Sequence, residues 1–130
     1  MDKNSRIFVA GHKGLVGSAI LRKLNSRGYQ NVITAGYSEL NLKDQSATLE
    51  FFKRENPEYV FLAAAKVGGI LANNNFPAEF IYDNILIEAN TINSSYLNGV
   101  KKLLFLGRMP NFIALNIAPP RPIGLAGSTL

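Results

Sequence analysis

The sequence predicts an α/β fold in which helices wind around both faces of a parallel sheet. Short apolar runs of strand length alternate with helical runs over residues 1–107, which is typical of parallel strands joined by helical crossovers. The stretch RIFVAGHKGLVGSA at residues 6–19 leads from an apolar strand through three glycines into a helix. Strand, glycine turn and helix in this order indicate a doubly wound, Rossmann-like sheet, which the sequence carries through about four strands.

Turn residues place the boundaries of these elements. Gly28 stops the first helix, Pro57 ends the second, and Pro77 opens the third at a position where its missing N–H has no helical partner to lose. The predicted strands cover residues 7–10, 31–35, 59–64 and 102–106, and the predicted helices cover 15–27, 44–56 and 77–98. The residues of the first helix that are predicted to face inward are Leu15, Ile20, Leu21 and Leu24.

Composition narrows the class of protein. The chain has 130 residues, 47% of them hydrophobic, and a mean hydropathy of +0.05, values typical of a folded globular chain. Its net charge of +5 comes from 14 basic and 9 acidic residues that are scattered, which favours a solvated surface over a nucleic-acid interface. No apolar run reaches membrane-spanning length. Because the chain has no cysteine and no apolar leader, we expect a cytoplasmic protein without a metal site.

The glycine turn is the first candidate binding site. Gly11 allows a tight turn out of the strand, Gly14 lets backbone N–H groups approach a pyrophosphate, and Gly17 lets the helix pack closely on the sheet. The helix that follows presents unpaired N–H groups and a positive dipole end to phosphate. The spacing GxxGxxG departs by one residue from the commoner GxGxxG, and glycines in this number also serve ordinary turns. The flanking strand and helix favour a dinucleotide site.

Four segments together resemble one enzyme family. They are AGHKGLVGSAI at residues 10–20, SELNLKD at 38–44, LAAAKVGGILANN at 62–74 and KKLLFLG at 101–107. The chain resembles the GDP-L-fucose synthases, NADP-dependent members of the extended short-chain dehydrogenase/reductase group, over residues 6–107. The resemblance implies conversion of GDP-4-keto-6-deoxy-D-mannose to GDP-L-fucose, by epimerisation at two carbons and reduction of the ketone.

The resemblance also implies which residues contact NADP. Those that cradle its phosphates are Gly11, His12, Lys13, Gly14, Leu15, Val16 and Gly17. Those at its adenosine end are Tyr37, Ser38, Glu39, Leu40, Asn41 and Leu42. Further contacts come from strand ends, at Ala63, Ala64, Ala65, Leu106 and Gly107. For each of the three alanines, plain packing of small side chains against a helix is the alternative.

Lys13 and Tyr37 bear on the choice between NADP and NAD. An acidic residue at the end of the second strand would favour NAD, and neither Gly36 nor Tyr37 is acidic. The family usually has a basic residue where this chain has Tyr37, so Lys13 is left to bind the 2′-phosphate largely alone. The alternative for Lys13 is a solvated loop lysine. Glu39 is interpreted as a surface or capping residue, and the helical Asn84 either faces the cofactor or is exposed.

Catalytic residues are not predicted in this chain. By resemblance, a serine and a cysteine follow closely after the fourth strand and a YxxxK pair lies further on. These 130 residues contain no cysteine and no tyrosine with a lysine four positions later. Residues 108–130 hold four of the six prolines and no clear period. We interpret them as a divergent tail, frameshifted or unstructured, with a genuine short form as the alternative. The chain alone is therefore expected to be inactive, and a non-catalytic NADP-binding module or a non-functional gene fragment are the other interpretations.

The long third helix is also a candidate interface. The apolar residues on one of its sides are Ile81, Ile85, Ile92 and Tyr96. A helix with more apolar surface than one sheet face can cover must bury the rest elsewhere. Because the extended group commonly dimerises through this helix, the resemblance implies a homodimer formed through residues 77–98.

Overall fold

The fold is a five-stranded sheet with helices on both faces, described here from a computed structural model that covers residues 1–64, 77–106 and 112–116. The spatial order of the strands is β2-β1-β3-β4-β5. In chain order the elements are β1 Arg6–Ala10, α1 Leu15–Ser26, β2 Asn31–Ile33, α2 Gln45–Glu55, β3 Tyr59–Leu62, α3 Pro77–Leu97, β4 Lys102–Leu106 and β5 Phe112–Asn116. Strands β1 to β4 pair in parallel, which confirms the predicted fold class.

Element ends fall within two residues of the predicted ones, and the differences have local causes. Strand β3 ends at Leu62 rather than residue 64, although Ala63 N still donates to Ala10 O at 2.9 Å. Helix α2 begins after Asp44, whose side chain accepts from Ala47 N, and it ends at Asn56 in the left-handed conformation, with φ of 47°. These are capping residues rather than helical ones, so the predicted range of 44–56 is one residue too long at each end.

Strand β5 is a feature that the sequence does not predict. It pairs antiparallel to β4, with Leu104 opposite Ala114. The prolines on both sides of residues 112–116 dominate the composition of this segment, and five residues are too few to show a period. Phe112–Asn116 is the only part of the predicted tail that lies within the described residues.

The core consists of two clusters, one on each face of the sheet. On the face covered by α2 and α3, Phe8 lies 4.9 Å from Phe51 and 5.6 Å from Phe52, measured between ring centroids. On the other face Ile7 and Val9 pack against Leu24 of α1. Burial of these side chains on both faces is what a parallel sheet requires.

Leu15 is a correction to the predicted inward face of α1. Its side chain is 87% exposed, whereas Leu24 is buried and Ile20 is partly buried against the core. Leu15 is the first residue of the helix, directly after the glycine turn, and it lines a cleft beyond the edge of the core instead of packing on the sheet. The helical period alone does not distinguish these two places.

Helix α3 buries polar side chains and exposes apolar ones. Ile92 packs against the core, but Ile81, Ile85 and Tyr96 are exposed, and Asn84 is buried. The polar residues buried on this helix are Asp83, Asn84, Asn90, Thr91, Ser94 and Ser95. Among the described residues, no helix combines the length and the hydrophobicity needed to cross a membrane.

Candidate functional site

The glycine turn between β1 and α1 is built so tightly that two of its glycines cannot be replaced. Gly11 has φ of +86°, and a Cβ there would lie 2.7 Å from the backbone of Ala63 and Ala64. A Cβ on Gly17 would overlap Gly11 O. Side chains at these positions would therefore force β1, β3 and α1 apart. These are the tight turn and the close helix packing that the spacing predicts.

Gly14 differs from its two neighbours because the protein itself leaves room at this position. Within the described residues, a Cβ there would meet only Gly11 O, at 3.5 Å, which is ordinary van der Waals contact. Gly14 is also the N-cap of α1, and no side chain caps this end. The first turn of α1 contains no acidic residue. Backbone N–H groups without intrahelical partners are thus available to an anion that approaches Gly14.

A cleft of about 800 Å³ opens where the strands β1, β2 and β3 end, next to this turn. Its position, at the carboxyl ends of parallel strands on either side of β1, is where α/β sheets bind ligands. The predicted residues that line it are Gly11, Gly14, Leu15, Val16, Tyr37, Leu40, Asn41, Leu42, Ala63 and Ala64. The predicted residues that are described but do not line it are His12, Lys13, Gly17, Ser38, Glu39 and Leu106. Ala65 and Gly107 lie outside the described residues.

Four lining residues were not predicted, namely Ala35, Lys43, Asp83 and Ile87. Lys43 directly follows the segment assigned to the adenosine end, so one further residue would have included it. Asp83 and Ile87 come from α3, which is distant in sequence from the glycine turn. Their spacing of four residues on one helix was the available signal, because it places both side chains on the same face.

Lys13 reaches across the end of β2 although it does not line the cleft. A Cβ on the buried Gly36 would lie 3.7 Å from Lys13 Nζ and 3.8 Å from Glu39 Oε1. The ammonium group and the carboxylate thus flank the same point, just past the second strand. The absence of a side chain at Gly36 creates the space between them. Glu39 is exposed, as predicted, but its carboxylate points toward this space.

The loop at residues 37–43, which we call the adenosine loop after its predicted role, forms part of the wall of the cleft. Its amides at Glu39 and Leu40 both donate to Gly36 O, at 3.0 and 2.9 Å. Leu40 is buried in the core, whereas Tyr37 is 71% exposed. Lys43 Nζ lies 5.9 Å from the centroid of the Tyr37 ring. The loop therefore presents an aromatic ring and a cation at the mouth of the cleft.

The chemistry of the cleft is that of a binding site. Most of its lining is apolar or backbone, and the ionisable side chains that line it are Tyr37, Lys43 and Asp83. Within the described residues, no three His, Cys, Asp or Glu side chains come together as a metal site. The lone histidine, His12, is half-buried in the glycine turn and does not line the cleft. The arrangement suits a ligand with phosphate at one end and a flat apolar group at the other.

Residues 7–108 match the NAD dependent epimerase/dehydratase family. The chain belongs to this family. It is 58% identical over 107 residues to a putative GDP-L-fucose synthase 2 from Arabidopsis thaliana, covering 82% of this chain and 33% of that protein. It is 54% identical over 102 residues to a GDP-L-fucose synthase from Escherichia coli strain K12, covering 78% and 32%.

A solved structure also resembles the chain closely. It is MlghC, a GDP-mannoheptose C4 reductase from Campylobacter jejuni with NADP bound, which superposes with a TM-score of 0.79 at 48% identity. The match covers 82% of this chain and 34% of that one. The chain thus spans about a third of the length of the relatives that it matches.

Proposed function

We propose that this chain is the NADP-binding region of a GDP-L-fucose synthase. The observation that carries the proposal is the uncapped N-terminus of α1 beside an open Gly14 at the cleft, with the Lys13 ammonium group close by at Gly36, just past β2. The names of the similar proteins support the nucleotide sugar as substrate and NADP as cofactor. In the complete reaction, NADPH supplies the hydride that reduces the ketone of GDP-4-keto-6-deoxy-D-mannose after two carbons have been epimerised.

The residues present fit the two halves of an adenosine-containing dinucleotide. The pyrophosphate would lie at Gly14, against the first-turn N–H groups of α1. The ribose would lie beyond the end of β2 and the adenine between the adenosine loop and the small residues after β3, Ala63 and Ala64. The fit rests on apolar walls and backbone donors, which are what such pockets commonly provide.

Lys13 and Glu39 favour different cofactors. An ammonium group beside the ribose favours a 2′-phosphate, whereas a carboxylate there favours the free hydroxyl of NAD. Both flank the space at Gly36. We propose that Lys13 prevails and that Glu39 turns toward solvent, because Glu39 is exposed and its side chain is free to move away from the phosphate.

Titration calorimetry of the purified chain with NADP and NAD tests this assignment. Lys13→Ala should weaken NADP binding at least tenfold and change NAD binding little, since a charge-assisted hydrogen bond contributes roughly 1.5–3 kcal/mol and about 1.4 kcal/mol is tenfold. Glu39→Gln should leave NADP binding unchanged or tighter, and Tyr37→Arg should tighten it. Lys23→Ala, at an exposed site in the last turn of α1, is the matched control. Equal weakening of both cofactors by Lys13→Ala would remove this residue from the role.

Turnover by a polypeptide of these 130 residues is not expected. The chain lacks the cysteine and the YxxxK pair that the family's reaction uses, and losing a single oxyanion donor typically slows such reactions by about 10² to 10³. NADPH consumption with GDP-4-keto-6-deoxy-D-mannose, followed by product chromatography, should match a control without enzyme. Clear turnover would contradict this.

The absence of the cysteine and of the YxxxK pair from these 130 residues also favours a second candidate function, a non-catalytic NADP-binding module. Restoration of activity by the remaining two-thirds of a related synthase, expressed separately, would favour the first.

We also propose that α3 forms a homodimer interface. Its outer face, defined by Ile81, Tyr82, Ile85 and Tyr96, is apolar, and each of these side chains is more than 40% exposed. Sedimentation of the wild-type chain should give a dimer, and the double variant Ile81→Ser/Ile85→Ser should give a folded monomer. Leu15→Ser, which removes a still more exposed apolar side chain from α1, should leave the dimer intact. A wild-type monomer at high concentration would refute the interface.

A further inference from the structure

Two of the polar residues that α3 buries point toward the adenosine loop. Asn90 Nδ2 donates a hydrogen bond to Leu42 O at 2.8 Å, and Asn90 is 9% exposed. Asp83 Oδ2 lies 3.8 Å from Lys43 Nζ, and Asp83 is 7% exposed. Both contacts join residues that are 40 or more positions apart in the chain. They are side-chain contacts that connect the adenosine loop to α3.

The first half of the loop is anchored in the core by Leu40, whereas the hydrogen bonds of its second half are internal. Lys43 N donates to Asn41 Oδ1 at 3.0 Å, and Asp44 N donates to Asn41 O at 2.9 Å. This Asx turn uses groups within four consecutive residues, so it could move as a unit relative to the sheet. The contacts from α3 act on the carbonyl and the side chain at the middle of this turn.

Helix α3 also lines the cleft next to the adenosine loop. Ile87 lines the cleft, and it lies between Asp83 and Asn90 on the same face of α3, at spacings of four and three residues. Leu42 and Lys43, which the two contacts hold beside the helix, line the cleft as well. The distance between the loop and the small residues after β3, Ala63 and Ala64, therefore depends in part on how α3 holds the loop.

We propose that Asn90 and Asp83 are positioning residues for the adenine half of the cofactor, with Asn90 holding the loop backbone and Asp83 orienting the Lys43 ammonium group. The identity of the ligand rests on the proposed function. A flat aromatic base needs two walls at a fixed spacing, and a loop fixed before binding loses less conformational entropy when the ligand arrives. This assignment also gives a reason for polar side chains on the buried face of α3.

Variants that keep shape and change hydrogen bonding separate positioning from packing. Asn90→Asp removes the donor at nearly constant volume, and Asn90→Gln keeps it. Asn93→Asp, at an exposed asparagine on the same helix, is the matched control. Binding of 2′,5′-ADP, the phosphorylated adenosine half of NADP, is measured by calorimetry for each. Thermal unfolding and hydrogen exchange at the Lys43 and Asp44 amides are measured on the same free proteins.

We expect Asn90→Asp to weaken 2′,5′-ADP binding at least tenfold, because it loses a hydrogen bond of about 1.4 kcal/mol and places a carboxylate against Leu42 O, and to speed exchange at both amides. Asn90→Gln should recover part of the affinity, and Asn93→Asp should change neither quantity. In the ion pair, Asp83→Asn and Lys43→Met should each weaken binding, and the double variant should be no weaker than Lys43→Met alone.

Unchanged affinity and unchanged exchange in Asn90→Asp would overturn the proposal. A lower melting temperature, with exchange at the Lys43 and Asp44 amides no faster than in Asn93→Asp, would overturn it as well. If the wild-type chain does not bind 2′,5′-ADP, the proposed function fails, and amide exchange in the free protein alone decides whether Asn90 holds the loop. Faster exchange in Asn90→Asp would then support the tie, and equal exchange would refute it.

Discussion

Helices α2 and α3 cover the same face of the sheet, but the side chains that they bury differ in kind. Helix α2 inserts Phe51 and Phe52 into the core beside Phe8, and charged residues follow on its exposed side. Helix α3 buries mainly hydroxyl, amide and carboxyl groups, and its exposed large apolar side chains are Ile81, Tyr82, Ile85, Tyr96 and Leu97. One helix therefore follows the usual amphipathic rule and its neighbour reverses it.

The difference indicates that the two helices have different structural roles. Helix α2 is held by the core of its own chain, because its apolar face is already buried. Helix α3 uses part of its buried face for directed contacts, such as Asn90 with Leu42 O, and leaves apolar side chains exposed on its outer face, where the proposed dimer would bury them. Polar side chains are the better choice where position must be specified, since hydrogen bonds have direction and apolar contacts do not.

The test of this comparison with the largest expected effect is to truncate one apolar side chain on each helix. Phe52→Ala removes a fully buried ring and should lower the free energy of unfolding by about 3–5 kcal/mol. Ile85→Ala removes a side chain that is 55% exposed, and in dilute solution, where the proposed dimer has dissociated, it should change that free energy by less than about 0.5 kcal/mol. Urea unfolding measures both. Similar losses would mean that α3 buries its outer face within the monomer.

The second test concerns how each helix begins. Asp44 Oδ1 accepts from Ala47 N at 3.0 Å and caps α2, whereas α3 begins with Pro77 and has Glu79 in its first turn. Asp44→Ala should destabilise the chain by about 1 kcal/mol. Asp44→Asn, which keeps an oxygen acceptor, should retain most of the stability in the same urea unfolding experiment. A loss as large in Asp44→Asn as in Asp44→Ala would show that charge, and not the cap, is what matters.

The third test concerns a buried hydroxyl group of α3 that forms no hydrogen bond with the described residues. Ser95 Oγ is buried and has no hydrogen-bond partner among the described residues, whereas Thr91 Oγ1 donates to Ile87 O at 2.7 Å. Ser95→Ala should therefore stabilise the chain by up to about 1 kcal/mol, and Thr91→Val should be neutral or destabilising by a similar amount. Thermal unfolding of the two variants gives the signs. A destabilising Ser95→Ala would mean that this hydroxyl has a bonding partner in solution.

The comparison also explains what could be predicted from the sequence. The parallel strands and the glycine turn follow from local signals, namely apolar runs, caps and glycines, and their predicted ends differ from the observed ones by two residues or fewer. The tasks assigned to Gly11 and Gly17 agree with the contacts that a Cβ would make there. The cofactor contacts assigned to these and the other site residues stay predictions.

What the sequence did not indicate depends on contacts between distant segments. Lys43 and Asp83 join at the cleft through the packing of α3 beside the adenosine loop, which no local pattern records. Leu15 follows the helical period of its neighbours and is nevertheless exposed, because it stands at the cleft and not over the sheet. Strand β5 exists through its pairing with β4 and carries little signal of its own.

The smallest expected effect concerns the segments that follow the two helices. Glu58, which directly precedes β3, accepts a hydrogen bond from Lys101 Nζ at 3.0 Å, and Lys101 directly precedes β4 in the segment after α3. Arg6 N also donates to Glu58 Oε1, at 3.2 Å. The bond from Lys101, followed by that from the Arg6 backbone, lowers the pKa of the Glu58 carboxyl below its usual 4.5.

Because the folded pKa lies below the unfolded one, this carboxylate stabilises the chain fully above about pH 4.5, and its contribution is lost as the pH falls through the folded value. Glu58→Gln should therefore be less stable than the wild type at pH 7, and the difference should shrink below pH 4.5. Lys101 is exposed and Glu58 is half-buried, so 1 M salt should also reduce the difference in part. Urea unfolding between pH 7 and pH 3 measures it, with Glu50→Gln on the exposed side of α2 as control. If the difference persists at pH 3, the side chain stabilises the start of β3 by its shape and not by its charge, and the link between the two helical segments is not electrostatic.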